Sequence, residues 1–128
     1  MKSVSALNFG RIVRAAGYSW KGMRTAWRDE AAFRQELCGF AVLAPLTLAL
    51  QLPALHTVVL FALMGNVLAI ELLNSGLEAI VDKTSPDQHA LAGKAKDCAS
   101  AAVFVATVTL AGAWLALAGP TAWRALFA

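Results

Sequence analysis

An all-α membrane protein is the fold class this sequence predicts, with three transmembrane helices and an N-terminal amphipathic surface helix. Three observations predict it. Of 128 residues, 59% are hydrophobic and only 15% charged, and the mean hydropathy is +0.60, a composition foreign to an ordinary soluble domain. No Asp, Glu, Lys or Arg occurs between Glu36 and Glu71, nor between Asp97 and Arg124, so both stretches can hold segments that cross a hydrocarbon core of roughly 30 Å. The basic residues are gathered outside those stretches, as the loops of a membrane protein require.

The first element is the surface helix, expected over about residues 4–27. Apolar groups at 9, 12, 13, 16, 20, 23 and 27 follow helical spacing, while Arg11, Arg14, Lys21, Arg24 and Arg28 face the other way, the pattern of a helix lying among lipid headgroups. Gly17 is expected to bend or divide it. The same charges break any continuous apolar h-region, so no cleaved secretory signal is expected here.

The first span is expected over about 30–52. Its uncharged part, from Leu37 to Leu52, is short for a crossing, so the helix is expected to start near Asp29 or Glu30, with Pro45 as a possible kink. Gln51 to His56 reads as a turn, and the second span follows over about 57–83. Ser85-Pro86-Asp87-Gln88 carries the signature of a helix start, with serine as N-cap and proline in the first turn. The third span, over about 99–118, is expected to stop at Gly119-Pro120. All of this forms a single membrane-embedded domain over 1–128.

Ten of the eleven basic residues lie in the N-terminal segment or the 83–97 stretch, and the 51–56 turn has none. The N-terminus and middle loop are therefore expected on the cytoplasmic side of a bacterial inner membrane and the C-terminus outside, where Trp114 and Trp123 suit an aromatic belt. Cys38 and Cys98 then fall where thiols stay reduced. The net charge of +3 does not argue for nucleic acid, because the basic residues are interleaved with membrane-seeking apolar ones and no soluble fold remains to present a basic face.

The second span carries the chemical signal. Glu71, Asn74, Ser75, Glu78 and Asp82 share one face at helical spacing. Counted from Thr57, Glu71 lies about 21 Å into the membrane and Glu78 about 31 Å, so two carboxylates straddle an interface. Inserting a carboxylate at the depth of Glu71 costs about 2 to 3 kcal/mol, which argues for a function unless the group merely snorkels or pairs with Lys83 or Arg34. Glu78, Asp82 and Glu30 alone read equally well as solvated helix ends. On the third helix His89, Lys96 and Ser100 share a face beside Asp97, again compatible with a solvated turn. There is no Gly-rich phosphate loop, kinase catalytic-loop signature or Cys/His metal cluster.

The stretches Ala15-Ala16-Gly17-Tyr18-Ser19-Trp20-Lys21-Gly22, Glu30-Ala31-Ala32-Phe33-Arg34-Gln35-Glu36, Glu71-Leu72-Leu73-Asn74-Ser75-Gly76-Leu77-Glu78-Ala79-Ile80-Val81-Asp82-Lys83 and Gly93-Lys94-Ala95-Lys96-Asp97-Cys98-Ala99-Ser100 resemble the bacterial (prokaryotic) diacylglycerol kinase family. The resemblance runs from about Arg11 to Trp114. It implies a homotrimer with active sites shared between subunits at the cytoplasmic interface, and ATP-dependent phosphorylation of diacylglycerol to phosphatidic acid. By the same resemblance Glu71 would be the general base, with Asn74 supporting the catalytic carboxylates, and Glu30 and Glu78 would hold Mg²⁺ bridging the ATP phosphates. Nucleotide contacts would fall to Arg11, Tyr18, Glu30, Glu78, Asp87, Gln88, His89, Lys96 and Asp97. Contacts to the lipid substrate would fall to Arg11, Ser19, Trp20, Arg34, Glu71, Ser100 and Trp114.

Three positions depart from the family pattern: Gly76 stands in place of alanine, Lys94 in place of arginine, and Cys98-Ala99 in place of Met-Gly. None removes a proposed catalytic group. An undecaprenol kinase of the same family is the nearest alternative, differing only in the lipid alcohol. A non-enzymatic transporter subunit using Glu71 as a cation site is more remote, because it has no evident need for Glu30, Glu78 and Lys96.

Overall fold

A computed structural model of the chain describes residues 9–85 and 89–127. The described residues form five helices: α1 (Phe9–Asp29), α2 (Ala31–Ala49), α3 (Ala54–Thr84), α4 (Ala90–Leu117) and α5 (Gly119–Phe127). Two of them, α3 and α4, are long and apolar enough to cross a membrane. With α3 rising about 46 Å over its 31 residues, it exceeds a hydrocarbon core of roughly 30 Å by several turns.

The first helix is strongly amphipathic, as its sequence spacing predicts. Phe9, Ile12, Val13, Tyr18 and Trp20 are all exposed, and only Ala26 is buried. It passes through Gly17 without a break, so the expected division there does not occur. The expected residues 4–8 lie outside the described residues. At its end, Arg28 pairs with Asp29 at 2.7 Å, and the guanidinium beside it holds the Asp29 carboxyl below the usual carboxylate range.

Glu30 separates α1 from α2. Its extended backbone, at φ −106° and ψ 116°, makes it the N-cap of α2. The junction is tied by the Arg34 Nη1 group, which donates to the carbonyls of Trp27 at 3.0 Å and Arg28 at 3.1 Å. Pro45 lies inside α2. At the far end the chain reverses through Gln51, whose φ of 48° is left-handed, and Pro53 serves as the N-cap of α3. The helix expected from Thr57 thus starts three residues earlier, at Ala54, because Pro53 opens a helix as readily as it closes one.

The α3–α4 connection also departs from expectation. Ser85 is the C-cap of α3, with its N–H donating to the Val81 carbonyl at 2.9 Å, and α4 begins at Ala90 with His89 as N-cap. Serine before proline is pushed away from helical torsions, so the pair terminates α3 instead of starting α4. Residues 86–88 lie outside the described residues.

The packing is concentrated on α3, which contacts α4 most extensively and α2 next, while α1 lies against α2 and α3. One apolar cluster joins Met64 and Val67 of α3 to Ala106 and Leu110 of α4, with Phe40, Leu43 and Ala44 of α2 against it. A second closes the turn end, where Leu52, Leu60 and Ala118 pack together. Between them Thr47, wholly buried, donates to the Leu43 carbonyl at 2.8 Å and accepts a hydrogen bond from the Trp114 indole at 3.2 Å. This satisfies two polar groups in a region with no water to do so. Helix α4 ends at Leu117 with Ala118 as its C-cap, at the expected stop before Gly119-Pro120, and a further helix, α5, begins at Gly119.

Candidate active site

The carboxylates meet at the end of α3 remote from the α2–α3 turn. Measured from Ala54, Glu71 lies about 26 Å along α3 and Glu78 about 36 Å, so the earlier helix start moves Glu71 closer to the expected hydrocarbon boundary. Glu71 is the most buried charged side chain described, at 3% exposure. Its carboxylate lies within electrostatic reach of Glu30 and Glu78, and Glu36 on α2 lies within reach of Glu71. Four acidic residues from two helices and the junction before them thus converge.

Their helices are placed by simple means. Glu30 is at the site because the backbone leaves the helical region there, which swings α2 against α3. Glu71 and Glu78 are seven residues apart and so share a face. The Ser75 hydroxyl between them donates to the Glu71 main-chain carbonyl at 3.1 Å, which leaves the Glu71 carboxylate free of it. Asn74 is beside this group, and its Oδ1 is buried with no hydrogen-bond partner among the described residues. The same is true of Glu36 Oε2. Buried polar atoms rarely go unpaired, so both are open acceptors for a ligand or a neighbouring subunit.

Two cavities flank the cluster. A cleft of about 670 Å³ runs between α1 and α3, with Ser19, Lys21, Asp29, Glu30 and Ser75 among its lining residues beside Met23, Ala26, Leu72, Gly76 and Ala79. A second, of about 440 Å³, is walled by Trp20, Met23, Trp27, Phe33, Leu37 and Leu68 and is almost wholly apolar. Met23 and Leu72 border both, so the two cavities are contiguous.

On the other side, Lys96 of α4 reaches across to Asp82 of α3 at 2.8 Å and lies within electrostatic reach of Glu78. This puts a mobile cation next to the acidic group. Both partners are substantially exposed, so the pair adds little to stability and the ammonium can exchange Asp82 for another anion.

Of the residues expected from sequence, Ser19 and Glu30 line the cleft and Trp20 the apolar cavity; Glu71 lies within electrostatic reach of Glu30 and Glu78, Lys96 within reach of Glu78, and Asn74 lies between Glu71 and Glu78 on α3. Arg34 is committed to the α1–α2 junction. His89 caps α4, its Nδ1 accepting from the Leu91 N–H at 3.2 Å. Tyr18 is exposed on α1, as is Arg11, while Asp97 and Ser100 are exposed on α4. Trp114 is at the opposite end, in the cluster with Leu60 and Ala118. Asp87 and Gln88 lie outside the described residues. Sequence reasoning missed Glu36 as a member of the cluster and Asp82 as the partner of Lys96. The one available signal for Glu36 was its place as the last charge before the long uncharged stretch.

Among the described residues, no three His, Cys, Asp or Glu side chains form a ready metal cage. Two carboxylates, Glu30 and Glu78, with phosphate oxygens and water completing the shell, are nonetheless the donor set a small hard cation takes when it arrives with a nucleotide.

Fold and site together define an α-helical membrane protein with an acidic centre at one end of its longest apolar helix, near two contiguous cavities. Comparison with known proteins makes that class specific. Residues 17–118 match the family described as prokaryotic diacylglycerol kinase. The chain is 47% identical over 111 residues to the diacylglycerol kinase of Escherichia coli K12, covering 85% of this chain and 89% of that one. It is 41% identical over 104 residues to that of Pseudomonas aeruginosa, covering 81% and 85%, and 35% identical over 103 residues to that of Haemophilus influenzae, covering 80% and 87%. The chain belongs to the prokaryotic diacylglycerol kinase family.

Proposed function

We propose that this protein is a diacylglycerol kinase that transfers the γ-phosphate of ATP to the primary hydroxyl of diacylglycerol, giving phosphatidic acid and ADP, at the cytoplasmic interface of the bacterial inner membrane. The observation that carries this reading is a buried carboxylate, Glu71, on an apolar helix of membrane-crossing length, within electrostatic reach of Glu30 and Glu78. A lipid alcohol carries its hydroxyl between a polar head and an apolar body, and the cleft that holds Glu30 adjoins the apolar cavity at Met23 and Leu72.

In the reaction the lipid's hydroxyl oxygen forms a bond to the γ-phosphorus as the bond from that phosphorus to the bridging oxygen of ADP breaks, and Glu71 takes the hydroxyl proton. Because phosphoryl transfer is mainly positioning and charge neutralisation, the remaining residues act by holding the reactants. Trp20, Phe33 and Leu37 take the acyl chains in the apolar cavity. Lys96 releases Asp82 and meets a phosphate. Asn74 uses its unpaired Oδ1 to accept a hydrogen bond from a bound hydroxyl. Glu30 and Glu78 would hold Mg²⁺, which when bound neutralises the phosphate oxygens.

Three spans, with α2 as the first, and assembly as a homotrimer complete the proposal. The open acceptors Glu36 Oε2 and Asn74 Oδ1 support a site finished by a neighbouring copy. Arg11, Tyr18, Asp87, Gln88, His89 and Asp97 would contribute to the nucleotide side, and Ser19 and Ser100 to the lipid side, while Arg34 is held at the α1–α2 junction and Trp114 lies at the opposite end.

The test is ATP-dependent phosphate incorporation into dioleoylglycerol and into undecaprenol by the purified protein in mixed micelles with Mg²⁺. Phosphatidic acid formation is expected. Activity on undecaprenol alone would replace the substrate, and activity on neither would overturn the kinase reading.

A further inference from the structure

The helix α5 lies beyond residues 17–118, the part that matches the family. At 100° per residue, Ala122, Trp123, Leu126 and Phe127 occupy one continuous arc, and Thr121 and Arg124 lie on the opposite side. Trp123 and Phe127 reinforce the apolar arc by packing with ring centroids 4.3 Å apart. Both are largely exposed, as is Leu126 at 76%. Among the described residues α5 packs against α4 alone, and none of its side chains is buried.

What covers this face follows from where α4 delivers it. The uncharged run from Ala101 to Ala118 spans about 27 Å, nearly the whole hydrocarbon core. Ala118, at its end, is wholly buried against Leu52 and Leu60, so the point of departure is fixed. The turn is closed by the N–H groups of Thr121 and Ala122, which donate to the Ala118 carbonyl at 3.1 and 2.9 Å. Helix α5 therefore starts at the membrane boundary, at the end of the molecule remote from the carboxylates. The Arg124 Nε donates to the Pro120 carbonyl at 3.2 Å, and the other nitrogens of its guanidinium remain free to meet a phosphate.

We infer that α5 is an interfacial anchor: it lies in the plane of the bilayer, with Trp123, Leu126 and Phe127 sunk at the headgroup–acyl boundary and Arg124 among lipid phosphates. Its partner is the phospholipid surface itself. The features are those of helices that lie on membranes, with tryptophan and arginine at the depth each prefers.

The test uses the full chain in phosphatidylglycerol-containing vesicles, with Cys38 and Cys98 replaced by alanine and an environment-sensitive fluorophore on Leu126→Cys or Arg124→Cys. The label at 126 is expected to emit further to the blue, to lose intensity to a lipid carrying a shallow nitroxide, and to resist aqueous iodide, while the label at 124 is quenched by iodide. Equal iodide quenching at both positions would overturn the inference by leaving the face in water. A label at 126 protected from iodide and also from the lipid nitroxide would overturn it in favour of another protein surface. If Leu126→Cys does not fold, Phe127→Cys on the same face gives the same reading.

Discussion

Replacing Glu71 with glutamine tests the proposed chemistry with little disturbance of the fold. The side chain is 3% exposed, and glutamine has nearly the same volume, so the packing around it is kept. The Ser75 hydrogen bond survives because it goes to the main-chain carbonyl of residue 71. Electrostatically the change is favourable, since it removes one negative charge from the group formed with Glu30, Glu36 and Glu78. What is lost is the acceptor for the hydroxyl proton. A positioned general base contributes about 10²- to 10⁴-fold, equivalent to about 3 to 5 kcal/mol of barrier. Glu71→Gln is therefore expected to lower kcat by roughly that factor, to leave the KM for ATP within about threefold because the nucleotide groups are untouched, and to unfold no more easily than the parent. Initial rates of phosphatidic acid formation and thermal unfolding in the same lipid mixture give the two readouts. A fall in kcat of less than tenfold, or a loss of activity that tracks a loss of fold, would refute the assignment of Glu71 as the base.

Three other substitutions probe separate parts of the structure. Gly76→Ala places a Cβ that meets nothing within 4 Å, so α3 is expected to gain about 0.5 to 1 kcal/mol from reduced backbone freedom, read as a higher unfolding midpoint. A destabilised protein would mean the cleft wall is occupied in the assembly. Thr47→Val leaves the Trp114 indole N–H without its acceptor, at a cost of about 1 kcal/mol. A double-mutant cycle with Trp114→Phe measures the coupling, and a value near zero contradicts the bond. Lys96→Gln is expected to raise the KM for ATP roughly tenfold, as loss of a charge-assisted phosphate contact does, with little effect on unfolding because its partner Asp82 is exposed. An unchanged KM would move Lys96 out of the nucleotide site.

Much of this arrangement is legible in the residues themselves. The charge-free stretches locate α3 and α4, the interleaved basic and apolar groups locate α1, and depth along α3 singles out Glu71, while Glu78 on the same face reads equally well as a solvated helix end until the family resemblance is added. The departures share a cause: proline and glycine were read as breaks where the fold uses them as beginnings. Pro53 opens α3, and Gly119-Pro120 opens α5, because proline lacks the N–H that the first turn of a helix leaves unpaired anyway. At Ser85-Pro86 the converse happened, and a cap signature marked an end. Contacts between helices, such as Glu36 with Glu71 or Asp82 with Lys96, depend on crossing geometry that no local pattern encodes. They become visible only once α2 and α4 are set against α3.

The burial along α3 is lopsided. Leu60, Met64 and Val67 are enclosed by neighbours, whereas beyond Glu71 no residue of this helix is buried, and Leu73 and Ile80 are largely bare. A structure built this way has unequal resistance to local opening, since segments with few enclosed contacts open at the least cost in free energy. The half that holds α2, α3 and α4 together is a stiff frame, while the half that meets substrate can breathe. In the proposed reaction a bulky two-chain lipid would enter beside the cleft between α1 and α3 and leave again more negatively charged. Looseness at that end serves turnover, and rigidity at the other keeps the carboxylates from drifting while it happens.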